Sequence, residues 1–194
     1  MLRRVFALAL GIVALAQPAL AQVPDPAMST ATSASGHILM SLGGGYASLA
    51  DAGLTITVVI NDSGGSPVSG VAANRIRLDS SNVADLVECP TDNTADAATD
   101  LTGTTTFSGI LFGGGFKQGD LRVYVDGVAI PSVIDIEINS TDLNADLLNN
   151  IADLGAFASD LAQPFVFRSD LWRDDVMDIA DLAVYALFFA DSCP

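Results

Sequence analysis

Carboxylate and amide side chains occupy alternate positions in the segment 142–153, a spacing that suits the binding of a hard cation. Calcium takes six to eight oxygen ligands, and a loop of about twelve residues supplies them from alternate side chains, a backbone carbonyl and a closing carboxylate. With Asp142 as the first position, every ligand position of such a loop is filled. The predicted ligands of this first loop are Asp142, Asn144, Asp146, the carbonyl group of Leu148, Asn150 and Asp153.

The pattern returns later in the chain, where the tetrapeptide IADL of 151–154 occurs again at 179–182. The same offset places acids of a second loop at positions that acids or an amide occupy in the first. The predicted ligands of this second loop are Asp170, Asp174, the carbonyl group of Val176, Asp178 and Asp181. An ordinary polar turn in an acidic protein would rarely repeat in this way, so the repeat favours a pair of metal-binding loops.

A helix is predicted directly after each loop. Asp153 falls in the opening turn of the first helix, where a carboxylate interacts favourably with the helix dipole. Apolar residues recur at helical spacing in both segments, namely Ile151, Leu154, Phe157 or Ala158, and Leu161 in the first, and Ile179, Leu182, Tyr185 or Ala186, and Phe189 in the second.

Tandem calcium loops that each open a helix resemble dockerin type I domains. The family pattern is approximately D-x-N-x-D-G-x-V-N-x-x-D-L, and the two copies here are DLNADLLNNIADL and DLWRDDVMDIADL. The resemblance covers about residues 139–191. It implies an EF-hand-like module that folds with calcium and, in cellulosome-type assemblies, docks onto a cohesin domain through the exposed faces of its two helices.

The chain departs from the family pattern at two positions. The sixth position is usually Gly because the loop turns there with positive φ, but it is Leu147 in the first loop and Asp175 in the second. A β-carbon in that conformation costs about 1–2 kcal/mol. The third position of the second loop is Trp172, which offers no side-chain oxygen. We therefore expect strain to weaken the first site and a missing ligand to weaken the second.

Upstream of the loops, residues 37–138 alternate short β-type runs with clusters of turn residues. No helical period interrupts them, so an antiparallel sandwich is expected. The glycine runs 43–45 and 113–115 lack the context of a phosphate-binding loop and are interpreted as turns. The predicted strands are 37–42, 54–60, 74–78, 104–111, 121–125 and 132–138.

Part of this region resembles bacterial Ig-like and transthyretin-like extracellular modules. The phrases LTITVVINDSGGSPVSGV and TDLTGTTTFSG carry the resemblance, which covers about residues 53–109. It implies a spacer or adhesive module, with an extracellular polymer or surface as a candidate partner. The predicted fold class is therefore mainly β with a small α domain, an Ig-like β-sandwich at 37–138 followed by a dockerin-like, two-helix module at 139–194.

The N-terminal residues have the pattern of an export signal. Arg3 and Arg4 precede the apolar run 5–16, and Ala19-Leu20-Ala21 is a cleavage signature. The run is shorter than the roughly 20 apolar residues that span a bilayer, so membrane insertion is not expected. We predict a signal peptide at 1–21, a flexible leader at 22–36, and a protein that is secreted or held at the cell surface.

The charge and the cysteines restrict the partners further. The net charge is −15 for the whole chain and −17 once Arg3 and Arg4 are removed, which repels nucleic acids and anionic lipid. Cys89 and Cys193 can form one disulfide in an exported chain. Two free thiols or an intermolecular bond remain alternatives, because the sequence does not give the distance between the two Cα atoms.

Catalysis is not indicated by this composition. The chain has one histidine, His37, at the start of a predicted strand, where a surface residue is expected rather than a general base. We therefore expect a non-catalytic attachment protein that binds calcium and docks onto a cohesin-type scaffold. The alternative is an extracellular structural protein whose dockerin-like module packs on its own sandwich without an external partner.

Overall fold

The structure, a computed structural model, describes residues 22–43, 47–80, 86–89 and 93–193, so the predicted signal peptide at 1–21 and most of the glycine run 43–45 lie outside it. This part of the chain is mainly β, with two helices near the C-terminus, which confirms the prediction of a mainly β protein with a small helical part. The helices are α1, Ile151–Asp160, and α2, Ile179–Leu187. The strands are β1 Thr30–Thr32, β2 Gly36–Met40, β3 Ile56–Val59, β4 Ile76–Ser80, β5 Leu86–Glu88, β6 Thr104–Phe107, β7 Gly113–Gln118, β8 Leu121–Val125, β9 Val128–Ala129 and β10 Ile136–Ser140.

The strands form three small sheets with the orders β1-β3-β6, β2-β10-β7-β5 and β4-β8-β9. Neighbours are antiparallel except β2 and β10, which run parallel from the pair Gly36 and Ile136 to the pair Met40 and Ser140. Because β1 and β2 follow one another in the chain but join different sheets, the N-terminal segment links two of the sheets.

The main hydrophobic core lies between these sheets. Alternation along the strands decides which side chains enter it: Ile56 and Val58 of β3 are buried, whereas the alternate residues Thr57 and Val59 are half-buried. Ile38 and Met40 of β2 point into the same core. Burial of the large apolar side chains, at about 25 cal/mol for each Å² removed from water, is the main stabilising contribution here.

Several segments differ from the sequence-based prediction. Residues 22–36, predicted as a flexible leader, contain β1, which pairs with β3 and buries Ala31. A three-residue strand with one apolar side chain has no period for the sequence to show. The glycine run 113–115, predicted as a turn, begins β7. β5, which is also three residues long, was not predicted and pairs with that run from Leu86 to Glu88.

A second, smaller core holds the helices against the three sheets, which are together called the sandwich from here on. It is formed by Leu39, Leu143, Phe157, Leu171, Val184, Tyr185 and Phe188. Leu39 belongs to β2, so successive residues of that strand face the two cores on opposite sides of the sheet. β10 also continues to Ser140, past the predicted boundary at 138. Within the described residues, neither helix has the length and apolar character needed to cross a bilayer.

Cys89 and Cys193 form a disulfide in the structure, with their Cα atoms 5.6 Å apart. Of the alternatives that the sequence left open, the structure therefore contains the intramolecular bond. It joins residues separated by 104 positions and ties the end of β5 to the C-terminus. Closing a loop of roughly this length contributes about 4–5 kcal/mol, mainly by restricting the unfolded chain.

Candidate metal site

Three carboxylates converge in the first loop. Asp142, Asp146 and Asp153 each place one oxygen within 4.8 Å of the others. Calcium lies 2.3–2.6 Å from its oxygen ligands, so oxygens on opposite sides of one ion are roughly 5 Å apart. Asp142 and Asp153 are fully buried and Asp146 is exposed. The separation and the all-oxygen donor set fit a hard divalent cation.

The backbone of the first loop wraps around the Asp142 carboxylate. Its two oxygens accept hydrogen bonds from the backbone N–H of Asp146, at 3.2 Å, and of Leu147, at 2.8 Å. This wrapping requires the left-handed conformation at Ala145, with φ 58°, and at Leu147, with φ 64°. Leu147 therefore adopts the conformation for which the family pattern has Gly, and its β-carbon bears the expected strain.

Asp153 closes the loop from the first turn of α1. Its carboxylate accepts from the backbone N–H of Asn144 at 3.1 Å and of Asn150 at 2.9 Å. Asn150 caps the helix and accepts from the N–H of Ala152 at 2.8 Å. Together these bonds form a capping box, which fixes the direction in which the helix leaves the loop.

The remaining predicted ligands of the first loop lie beside these carboxylates. The Asn144 side chain accepts from the backbone N–H of Asp146 at 3.0 Å and donates to its carboxylate at 3.1 Å. The Leu148 carbonyl accepts from the side-chain amide of Asn150 at 3.2 Å. The structure thus brings all six predicted residues of this loop together.

The hydrogen bonds within the second loop closely match those within the first. Asp170 accepts from the backbone N–H of Arg173, Asp174 and Asp175 at 2.8–3.2 Å. Arg173 and Asp175 have φ 62° and 61°, which match the values of their counterparts in the first loop. Asp181 accepts from Trp172 and from Asp178, each at 2.9 Å, as Asp153 does from its own loop.

The two loops differ in the side chains that face their centres. Among the described residues, only Asp142, Asp146 and Asp153 bring three metal-binding groups within 4.8 Å of one another. In the second loop Trp172 occupies the third position, and its side chain is 55% exposed. Asp174 accepts from the N–H of Val176 at 3.1 Å, as expected for the fifth position. The second loop has the same backbone shape but lacks the carboxylate convergence of the first.

The buried acids of the loops repel one another. Burial, followed by the charges of Asp153 and Asp146, raises the pKa of Asp142 to about 6 despite the hydrogen bonds that it accepts. Burial, together with the charge of Asp170, likewise raises the pKa of Asp181. A divalent cation among the carboxylates would offset both the repulsion and the loss of hydration.

Contacts from the second repeat hold the first loop in place. The Tyr185 hydroxyl, on α2, donates to the carbonyl of Asn150. The backbone of Asn149 donates to the carbonyl of Asp191 at 3.1 Å and accepts from Ala190 at 2.9 Å. Leu143 and Leu171, the second residues of the two loops, are both buried in the smaller core. The loops therefore form one packed unit.

The sandwich contributes a residue that sequence reasoning did not assign to the site. Asn139, fully buried at the end of β10, donates its side-chain amide to the carbonyls of Phe167 at 2.5 Å and Asp170 at 2.9 Å. Its other side-chain atom lies 3.1 Å from a ring nitrogen of His37, which is half-buried and stacked on Phe167. Burial lowers the pKa of His37. No local sequence pattern predicts these contacts, because the partners are distant from Asn139 in the chain.

No family model matches the chain, and no curated protein matches it. Among solved structures, the crystal structure of the Lin-41 filamin domain is similar to 58% of this chain over 95% of its own length, with 16% identity and a TM-score of 0.29.

Proposed function

We propose that the protein is a secreted, non-catalytic attachment protein whose C-terminal module binds calcium and docks onto a cohesin-type scaffold. In this proposal the β-sandwich is a spacer or adhesion module that contacts an extracellular polymer or surface. The observation that carries the proposal is the convergence of Asp142, Asp146 and Asp153 in a loop whose backbone geometry recurs in the second repeat. The disulfide supports export, because such bonds persist in oxidising compartments.

Calcium would be held mainly by the first loop. Asp142, Asp146 and Asp153 would supply carboxylate oxygens, with Asn144, Asn150 and the Leu148 carbonyl completing the set. In the second loop Asp170, Asp174, Asp178, Asp181 and the Val176 carbonyl would act in the same way, with weaker affinity because Trp172 supplies no oxygen. Bound calcium would neutralise the buried charge and fix the loops against the helices.

The helices offer an apolar surface for a protein partner. Ile179 and Leu187 of α2 are 73% and 76% exposed. A hollow of about 320 Å³ lies beside Leu187 and is lined by Trp172, Ala180, Ala183, Val184 and Leu187. Exposed apolar patches of this kind mark interaction sites more often than chance. This surface supports docking through the helix faces.

The second candidate function is that of an extracellular structural protein whose helical module binds only its own sandwich. Leu39 and Asn139 of the sandwich pack into the module, and the disulfide locks its C-terminal end to β5. These contacts favour a fixed arrangement of the two parts. Both candidate functions include calcium binding. They differ in whether the exposed face of α2 binds an external partner.

Calcium titration by calorimetry, with thermal melts in calcium and in a chelator, tests the metal site. Asp142→Asn should abolish the tighter binding event and most of the thermal shift, because it removes a buried ligand charge. Asp51→Asn changes an exposed acid that is hydrogen-bonded to Ser48 and serves as the control. A wild-type chain that shows neither heat of binding nor a calcium-dependent melting temperature would disprove the metal site.

Binding to immobilised cohesin domains in calcium tests the partner. Leu187→Asp should abolish capture by placing a charge on the exposed face of α2, whereas Leu101→Asp changes a residue of the sandwich that is 91% exposed and should have no effect. Capture that is equal for both variants contradicts docking through α2. No capture by any cohesin, in a chain that binds calcium, favours the structural alternative.

A further inference from the structure

The first loop leaves the sandwich alongside strand β7, and the two stay hydrogen-bonded beyond the end of the ladder. The Ser140 hydroxyl donates to the carbonyl of Gly113 at 2.9 Å. Further along the loop, the carbonyl of Asp142 accepts from the N–H of Gly115 at 2.6 Å. The residue between these two glycines, Gly114, therefore lies directly beside Asp142.

Gly114 has no room for a side chain. A β-carbon at this position would lie 1.9 Å from an oxygen of the Asp142 carboxylate and 2.5 Å from its Cγ, both far inside contact distance. The backbone of Gly114 is not left-handed, so its conformation alone would accept any residue. The requirement for glycine comes from the neighbouring carboxylate.

We propose that Gly114 is a positioning residue for the first calcium site, so that the sandwich forms one wall of that site. This inference rests on the proposed calcium function. A side chain at Gly114 would displace the carboxylate of Asp142 away from Asp146 and Asp153, with which it converges. The second loop is held differently, by Asn139 and by the Arg173 guanidinium, which donates to the carbonyl of His37 at 3.0 Å.

The test is Gly114→Ala in the full chain, with Gly109→Ala as the matched control. Gly109 also has an ordinary backbone conformation, and a β-carbon there meets no atom within 4 Å. Calorimetry should show at least a tenfold loss of affinity at the first site for Gly114→Ala and no change for Gly109→Ala. Terbium luminescence sensitised through Trp172, the one tryptophan of the chain, measures binding at the second site separately. This binding should be unchanged in Gly114→Ala.

The outcomes separate this inference from the calcium proposal. A wild-type chain that binds no calcium overturns both. A wild-type chain that binds calcium, with Gly114→Ala equal to it in affinity, overturns the positioning role alone. Equal weakening of the terbium signal and of the first site also overturns it, because general destabilisation would then explain the loss.

A double-mutant cycle of Gly114→Ala and Asp142→Ala tests the inference even where Gly114→Ala folds poorly. The unfolding midpoint of each variant is measured in chelator. Gly114→Ala should lower the unfolding midpoint strongly in the wild-type background and little in the Asp142→Ala background, where the carboxylate is gone. Such a difference isolates the pairwise contact from the effects of each change alone. An equal loss in both backgrounds means that glycine is required for another reason, and the positioning role is then wrong.

Discussion

Leu147 carries strain at a position that the loop uses to turn. Its φ of 64° is in the left-handed region, where a β-carbon costs about 1–2 kcal/mol. Leu147→Gly should therefore stabilise the closed loop and tighten calcium binding at the first site by up to about tenfold, since about 1.4 kcal/mol corresponds to a factor of ten. Calorimetric titration measures the change. Leu148→Gly, at the neighbouring exposed residue without positive φ, should not tighten binding, and equal affinities for Leu147→Gly and wild type would contradict the loop geometry.

Glu88 lies outside the loops with a side chain that is only 8% exposed, and it gives the stability of the folded chain a pH dependence. Burial and the charge of Asp79 raise its pKa from 4.5 to about 7, outweighing the hydrogen bond from Arg77. The folded chain thus binds this proton more tightly than the unfolded chain does. The charged carboxylate therefore destabilises the folded chain. This loss of stability is absent below the unfolded pKa of 4.5, grows as the pH rises from 4.5 to about 7, and is complete above about 7.

Glu88→Gln should accordingly stabilise the protein at high pH alone. The expected gain in the free energy of unfolding is about 3 kcal/mol near pH 8 and about zero near pH 4, from about 1.36 kcal/mol for each unit of pKa shift. Urea denaturation at both values measures it. Glu137→Gln, at the other glutamate of the chain, is the control. A gain that is the same at both pH values would show that the carboxylate charge is not its source.

At the scale of elements, sequence reasoning succeeded where a pattern is local. β3 is predicted from the alternation of its apolar residues, and the two helices are predicted from apolar residues at helical spacing that recur after each IADL. β1 is too short to show a period, and β7 begins with three glycines, which favour turns in isolation. Gly114 and Asn139 could not be assigned to the site, because their contacts depend on how distant segments pack.

Strand β1, which the sequence did not predict, can be tested directly. Ala31 is buried in β1, whereas Thr30 and Thr32 on either side are exposed. Ala31→Asp should lower the free energy of unfolding by about 2–4 kcal/mol, because an unpaired charge enters the core. Thr30→Asp should change it by less than about 0.5 kcal/mol, as for an ordinary surface substitution. Denaturant unfolding measures the free energy of unfolding of both variants. Equal and small effects would contradict the burial of Ala31 and favour a flexible leader at 22–36.

At the scale of the whole molecule, the disulfide and the first loop act on the same C-terminal segment. Cys193 follows Ser192, which bridges to Leu148, and Asp191, whose carbonyl accepts from Asn149. The bond to Cys89 therefore holds this segment against the loop as well as closing the chain. Its loss should affect both global stability and the proposed calcium site of the first loop.

Replacing Cys89 and Cys193 together by Ser should lower the free energy of unfolding by about 4 kcal/mol, through the entropy that the unfolded chain regains. The same variant should bind calcium more weakly at the first loop, because the segment beside Leu148 and Asn149 is no longer tethered. Terbium luminescence through Trp172 should change less, since the second loop is anchored by Asn139 instead. Unfolding in urea and calorimetry on the variant measure the two effects. A loss of stability with unchanged affinity at the first loop would show that the disulfide restricts only the unfolded chain and does not position the site.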